Sequence, residues 1–225
     1  MPRLPLIAMV TNRRRYGGDQ ATACERLIEA SRQAAAAGVD TIQIREPDLD
    51  DRQLAGLTAE IVAATAGTPC RVVVNARTDI ALLEGAHGVH LRGTSPSGAR
   101  VRTIVPAGFL VGRSVHTVDE AEETERAGGC DYLIFGTVFP SVTKGIDHAV
   151  AGVGMLAAVC ARVRLPVLAI GGVTVERAVE AAGSGAAGIA AIDLFAGLPI
   201  INDPVTSAAS WRAAVGSIQA AFERR

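Results

Sequence analysis

A single (β/α)8 TIM barrel of near-minimal size is the fold that this 225-residue sequence predicts, on three observations. Short runs of branched apolar residues alternate with longer Ala-rich helical stretches from one end to the other. Eight such runs occur, nearly every one followed by a helical stretch. No Ser/Gly linker or shift in composition divides the chain, so residues 1–225 read as one domain with its core at about 5–196. Alternating βα units require parallel strands joined by crossovers, and eight of them in this length imply closure. An open, doubly wound sheet is the fallback.

The elements follow in order. LIAMVT (6–11) is the first strand and leads to a helix over 22–37 that contains four consecutive alanines. TIQIRE (41–46) alternates apolar and polar residues before a helix over 50–66. RVVVNA (71–76) and GVHL (88–91) are the third and fourth strands. LVGRSVH (110–116) ends in a histidine, and TVDEAEE then signals a helix start at 117–127. YLIFGTVF (132–139), PVLAIGG (166–172) and GIAAIDLF (188–195) complete the set, with helices over 174–182 and 204–223. The string GVGMLA (152–157) matches G-x-G-x-x-A, but a dinucleotide fingerprint must directly follow a strand, and this one does not.

Bulk properties exclude several function classes. The formal net charge is -1, which leaves no unbalanced basic face for nucleic acid. Arg13, Arg14 and Arg15 form the one basic cluster; a solvated loop is the first reading and a contact to ligand phosphate the second. The four cysteines are too far apart for a metal knuckle or a redox pair and fit a reducing compartment. The apolar run before the arginines is too short for a signal peptide or a membrane span. These features lead us to expect a cytoplasmic protein with no membrane partner.

In such a barrel, chemistry belongs at the C-terminal ends of the strands, where this sequence places its unusual residues. Strand alternation sends Ile42 and Ile44 toward the helices and leaves Gln43 and Arg45 for the barrel mouth. Asn75 falls inward by the same parity. An inward Arg either braces the top of the barrel through a carboxylate or binds an anionic substrate. Ser114 and His116 share one face of the fifth strand, and His116 at its end is either a proton carrier or merely the residue where the strand stops. Arg113 falls on the valine face, which parity alone does not explain. His87 and His90 lie on opposite faces and cannot share a metal; His148 reads as surface. Gly171 and Gly172, followed by a helix, present bare backbone N–H groups to an anion, while the Asp193 carboxylate at the end of strand eight repels a phosphate and reads equally as a loop acceptor or a helix cap.

With these residues assembled, the chain resembles the thiamin phosphate synthase/TenI superfamily across roughly residues 5–196, through IQIREPD, VNARTDIALLEGAHGVHL, VGRSVHTVDEA, CDYLIFGTVFPSVTKG, LPVLAIGGVT and GAAGIAAIDLF. Synthases of that superfamily join a pyrimidine diphosphate to a thiazole phosphate. The resemblance asks for a Lys where Pro47 stands and for magnesium-binding carboxylates where Ala76 and the Thr94–Ser95 stretch stand; Thr143 and Lys144 match the diphosphate loop. Without those carboxylates the expectation moves to the TenI-like branch. The chain would then be a metal-independent thiazole tautomerase, an isomerase that aromatises a carboxythiazole phosphate with no cofactor. In that reading His116 moves the proton, and Gln43, Arg45, Asn75, Ser114 and Lys144 bind the substrate. Gly171, Gly172, Ile192 and Asp193 hold its phosphate, and a homodimer is implied. The alternatives are the synthase itself, a transferase, and a non-catalytic binder of thiazole or thiamin phosphates.

Overall fold

The computed structural model describes residues 5–140, 150–200 and 204–223. Eight parallel strands close into one barrel in sequence order: β1 (Leu6–Val10), β2 (Thr41–Ile44), β3 (Arg71–Asn75), β4 (Gly88–Leu91), β5 (Leu110–Val115), β6 (Tyr132–Gly136), β7 (Val167–Ile170) and β8 (Gly188–Ala191). The helices are α1 (Gln20–Ala37), α2 (Asp51–Thr65), α3 (Thr78–Leu83), α4 (Gly98–Arg102), α5 (Val118–Ala127), α6 (Gly152–Arg162), α7 (Val175–Gly183), α8 (Asp193–Ala196) and α9 (Pro204–Glu223). The doubly wound alternative is thereby excluded, because β8 pairs with β1. Among the described residues, no helix is long and apolar enough to cross a membrane.

Alternation along the strands builds two apolar layers. Ile42, Ile44, Val72, Val74, Val89, Val111, Val115 and Phe135 belong to the layer between sheet and helices. A smaller cluster of Ala8, Val10, Tyr132, Ile134, Leu168 and Ala190 fills the inside of the barrel. It leaves room above for polar side chains, which is why the inward positions near the strand ends can carry Gln, Asn, His and Ser.

Side-chain caps start several helices just past the strand ends. Asp19 accepts from Thr22 N, Asp50 and Gln53 form a reciprocal capping box, and Thr117 and Thr174 accept from the N–H groups of Glu120 and Arg177. Each cap fixes where the chain turns away from the mouth. At the far end, Trp211 on α9 is fully buried, stacks on Phe195 at a centroid distance of 6.0 Å and donates Nε1–H to Pro199 O at 2.9 Å. Helix α9 thus pins α8, and with it the turn that carries Asp193.

Every strand but β4 ends one to four residues short of the sequence expectation, and three of these ends shape the mouth. β5 stops at Val115, so His116 is the first residue beyond it. β7 stops at Ile170 because Gly171 (φ 98°) and Gly172 (φ 61°) adopt the left-handed conformation. β8 stops at Ala191, since Ile192 O already accepts from Phe195 N and Ala196 N and begins α8.

Candidate functional site

A cavity of about 340 Å³ opens at the C-terminal end of the barrel. On one side stand Gln43, Arg45, Asn75 and Arg92; Ser114 and His116 line the middle; Gly171, Gly172, Ile192 and Asp193 form the opposite wall. Residues from six strand ends therefore meet at one place. Lys144 and His148 lie outside the described residues.

Gln43 is 3% exposed and donates Nε2–H to Asn75 Oδ1 at 3.0 Å, while its Oε1 is buried with no hydrogen-bond partner among the described residues. A buried acceptor left unpaired costs free energy that a ligand N–H or O–H would recover. Arg45 is exposed, with its own N–H held by Thr11 Oγ1 at 2.9 Å. No salt bridge involves its guanidinium among the described residues, so its charge faces the cavity. His116 donates Nδ1–H to Gly136 O at 2.6 Å, because a carbonyl can only accept. This leaves Nε2 as the nitrogen able to exchange a proton, and Glu120 Oε2 accepts the His116 backbone N–H at 2.7 Å.

The solvated reading of the basic cluster holds for Arg14, whose side chain is 72% exposed, and is corrected at Arg13. Arg13 is buried and bonds Glu46 Oε2 at 3.0 Å and both oxygens of Asp48 at 2.7 and 2.5 Å. Glu46, buried too, also accepts from Thr11 Oγ1 and the Arg13 N–H. The Arg–carboxylate brace considered for Arg45 is thus built from Arg13, and Arg45 is left for the cavity. Arg15 pairs with Asp193 at 2.5 Å, which offsets the carboxylate's charge on the turn beside the cavity. Arg113 points out of the barrel by the parity noted above and donates to Pro96 O and Gly93 O, clamping the loop after β4. Arg77 is held away from the cavity by Asp51 and Asp79.

The Arg13 hydrogen bond holds the Asp48 carboxyl well below the usual carboxylate range, against desolvation and with help from Arg14. A depressed folded pKa contributes stability that is present above the unfolded value of about 4 and lost as pH falls through the folded one. Acid titration followed by circular dichroism is therefore expected to show stability falling below about pH 4, with a smaller fall in Asp48→Asn. Identical acid profiles would contradict it.

The glycine turn needs both glycines. A Cβ on Gly172 would lie 2.3 Å from Pro140 O, and one on Gly171 would lie 2.4 Å from Thr137 Cγ2. Gly172→Ala is expected to cost about 1–3 kcal/mol in urea denaturation and to weaken phosphate binding measured by calorimetry. A variant as stable as the parent would show that the turn yields.

Arg92 escaped the sequence reading, and His90 was weighed there only as a metal ligand. Arg92 adds a second guanidinium to the cavity wall. His90 points inward, where its parity with Asn75 across the β3–β4 pairing is the signal that could have found it.

A family model described as thiamine monophosphate synthase matches residues 10–195. The thiamine-phosphate synthase of Methanospirillum hungatei is 34% identical over 183 residues, 81% of this chain and 86% of that protein. That of Methanocella arvoryzae is 35% identical over 181 residues, 80% of this chain and 83% of that protein. The solved thiamine phosphate pyrophosphorylase of Pyrococcus furiosus superposes with a TM-score of 0.75 at 28% identity, covering 98% of this chain and 96% of that one.

These relatives correct the expected isomerase. They are named as synthases, so the transferase alternative replaces the thiazole tautomerase. The tautomerase expectation rested on two missing carboxylates, with magnesium taken as the usual agent that meets a diphosphate's charge, and on motifs such as GRSVH and DYLIFGTVF that resemble the TenI-like branch. Guanidinium groups also meet anionic oxygens, and Arg45 and Arg92 both line this cavity. Where the resemblance asks for magnesium-binding carboxylates, the chain has Ala76 and the Thr94–Ser95 stretch. Among the described residues no three His, Cys, Asp or Glu side chains gather to hold a metal, and the one carboxylate on the cavity wall, Asp193, is paired with Arg15. These residues do not fit a magnesium site.

Proposed function

Because the chain belongs to the thiamine monophosphate synthase family, we propose that it is a transferase of thiamin biosynthesis joining a pyrimidine diphosphate to a thiazole phosphate. The observation that carries this reading is similarity to synthases over about four fifths of the chain and of each relative. The cavity supports it in three ways. The Gly171–Gly172 turn and the Ile192–Asp193 backbone offer N–H groups to the thiazole phosphate. Gln43, Asn75 and Ser114 receive the pyrimidine, with the unpaired Gln43 Oε1 accepting one of its donors.

Arg45 and Arg92 meet the diphosphate, and their charge favours its departure, since negative charge accumulates there as the bond to carbon breaks. The thiazole nitrogen supplies the electron pair for the new bond. His116, with Nδ1–H committed to Gly136 O, offers Nε2 to a diphosphate oxygen and donates when protonated. Lys144 is carried forward as a further anion contact from the resemblance, and so is the homodimer, which light scattering on the purified protein tests.

The reading is tested by incubating the protein with both substrates, in magnesium and separately in a chelator, and following thiamin phosphate as its fluorescent oxidation product. Formation in step with diphosphate release supports it; no formation in either buffer overturns it.

A further inference from the structure

His90 on β4, Ser114 on β5 and Tyr132 on β6 form a connected polar group inside the barrel. His90 is 1% exposed. Its Nε2 lies 2.9 Å from Ser114 Oγ and its Nδ1 lies 3.3 Å from the Tyr132 hydroxyl. Tyr132 reaches across β5 only because residue 112 is glycine: a Cβ there would lie 2.1 Å from Tyr132 Cζ. Gly112 is the register partner of both His90 and Tyr132, so the sheet places the three in line.

The donors and acceptors can be counted. Burial, reinforced by the charge of Arg113, pushes the His90 imidazole down to about 3, so it is neutral and carries one N–H. Burial raises the Tyr132 hydroxyl, which therefore keeps its proton. Among the described residues that hydroxyl has one hydrogen-bond partner, His90 Nδ1. Were Nδ1 protonated, the buried Tyr132 O–H would have no acceptor and would lose its hydration uncompensated. With the proton on Nε2, Tyr132 donates to Nδ1 and Nε2–H donates to Ser114 Oγ. Ser114 then has its own O–H left over, and Ser114 lines the cavity.

We infer that His90 is a positioning residue: fixed by Tyr132 with its proton on Nε2, it occupies the Ser114 oxygen and turns the Ser114 hydroxyl into a donor aimed at an acceptor atom of the substrate. The cavity then offers an acceptor at Gln43 Oε1 and a donor at Ser114, a pattern suited to a heteroaromatic ring bearing both kinds of group. The consequence for turnover rests on the transferase reading; the tautomer does not.

Nitrogen-15 NMR of the intact protein labelled at histidine tests the tautomer, with His90→Gln used to assign the signals. The neutral imidazole protonated at Nε2 is expected, with the proton redistributed in Tyr132→Phe. Protonation at Nδ1, or an imidazolium at neutral pH, would overturn the inference. Turnover supplies the second arm. Ser114→Ala and His90→Leu are each expected to lower kcat about tenfold, one hydrogen bond's worth. The double variant should fall no further, because both changes remove the same donor, and His90→Gln should recover part of the rate through its amide N–H. Additive losses, as a merely structural histidine would give, would also overturn it. If the parent protein makes no thiamin phosphate, the transferase reading fails and the NMR result alone decides the tautomer.

Discussion

Glu46→Ala is expected to destabilise the protein by about 3–5 kcal/mol, because it removes the buried acceptor of three hydrogen bonds and leaves the buried Arg13 guanidinium with Asp48 alone. Glu46 and Arg13 side chains are 2% and 6% exposed, and Glu46 accepts three hydrogen bonds, from Thr11 Oγ1, Arg13 N and Arg13 Nη1. Asp48 cannot take over, since it already bonds both terminal nitrogens of Arg13. The loss extends toward the cavity: Thr11 Oγ1 donates to Glu46 and accepts the Arg45 N–H, so freeing Thr11 loosens the backbone that presents Arg45. Urea denaturation gives the stability change, and Glu46→Gln should lose less because its amide oxygen still accepts. A loss below about 1 kcal/mol would show that the brace is not what holds β1 to β2 at the mouth.

Arg45→Ala is expected to lower kcat/KM for thiamin phosphate formation by about 10²–10³-fold, the range for deleting one charged or polar donor from a developing anion. Its stability should stay within about 0.5 kcal/mol of the parent, as for an exposed side chain with no ion pair among the described residues. This contrast separates it from Glu46: one variant folds poorly, while the other folds normally and turns over poorly. Arg45→Lys should recover only part of the rate, because a point charge replaces a planar two-pronged donor. An unchanged kcat/KM in Arg45→Ala would remove Arg45 from the diphosphate and leave Arg92 to carry it.

How much was legible in the sequence varies from residue to residue. Gln43 and Asn75 follow from parity within their own strands, and their meeting at 3.0 Å follows once β2 and β3 are neighbours. The glycine turn was legible because left-handed backbone is costly for other residues, so two glycines between a strand and a helix carry that meaning unaided. The branch of the family was misread, since a pair of missing carboxylates says which ion is not held and nothing about which side chains meet the charge instead.

By itself, the sequence determined the barrel, the end of it that bears the site, and the inward-facing strand residues, because these depend on local periodicity and chain direction. Only the tertiary structure decided which arginine braces and which faces the cavity. Arg13 and Glu46 are 33 residues apart and meet through the β1–β2 pairing, and Arg15 reaches Asp193 across the β1–β8 closure. The same holds for His90. Its role depends on the hydroxyls of Ser114 and Tyr132, supplied by the next two strands and brought within reach by the register at Gly112. Partners of this kind are chosen by geometry between distant segments, and local sequence holds no record of it.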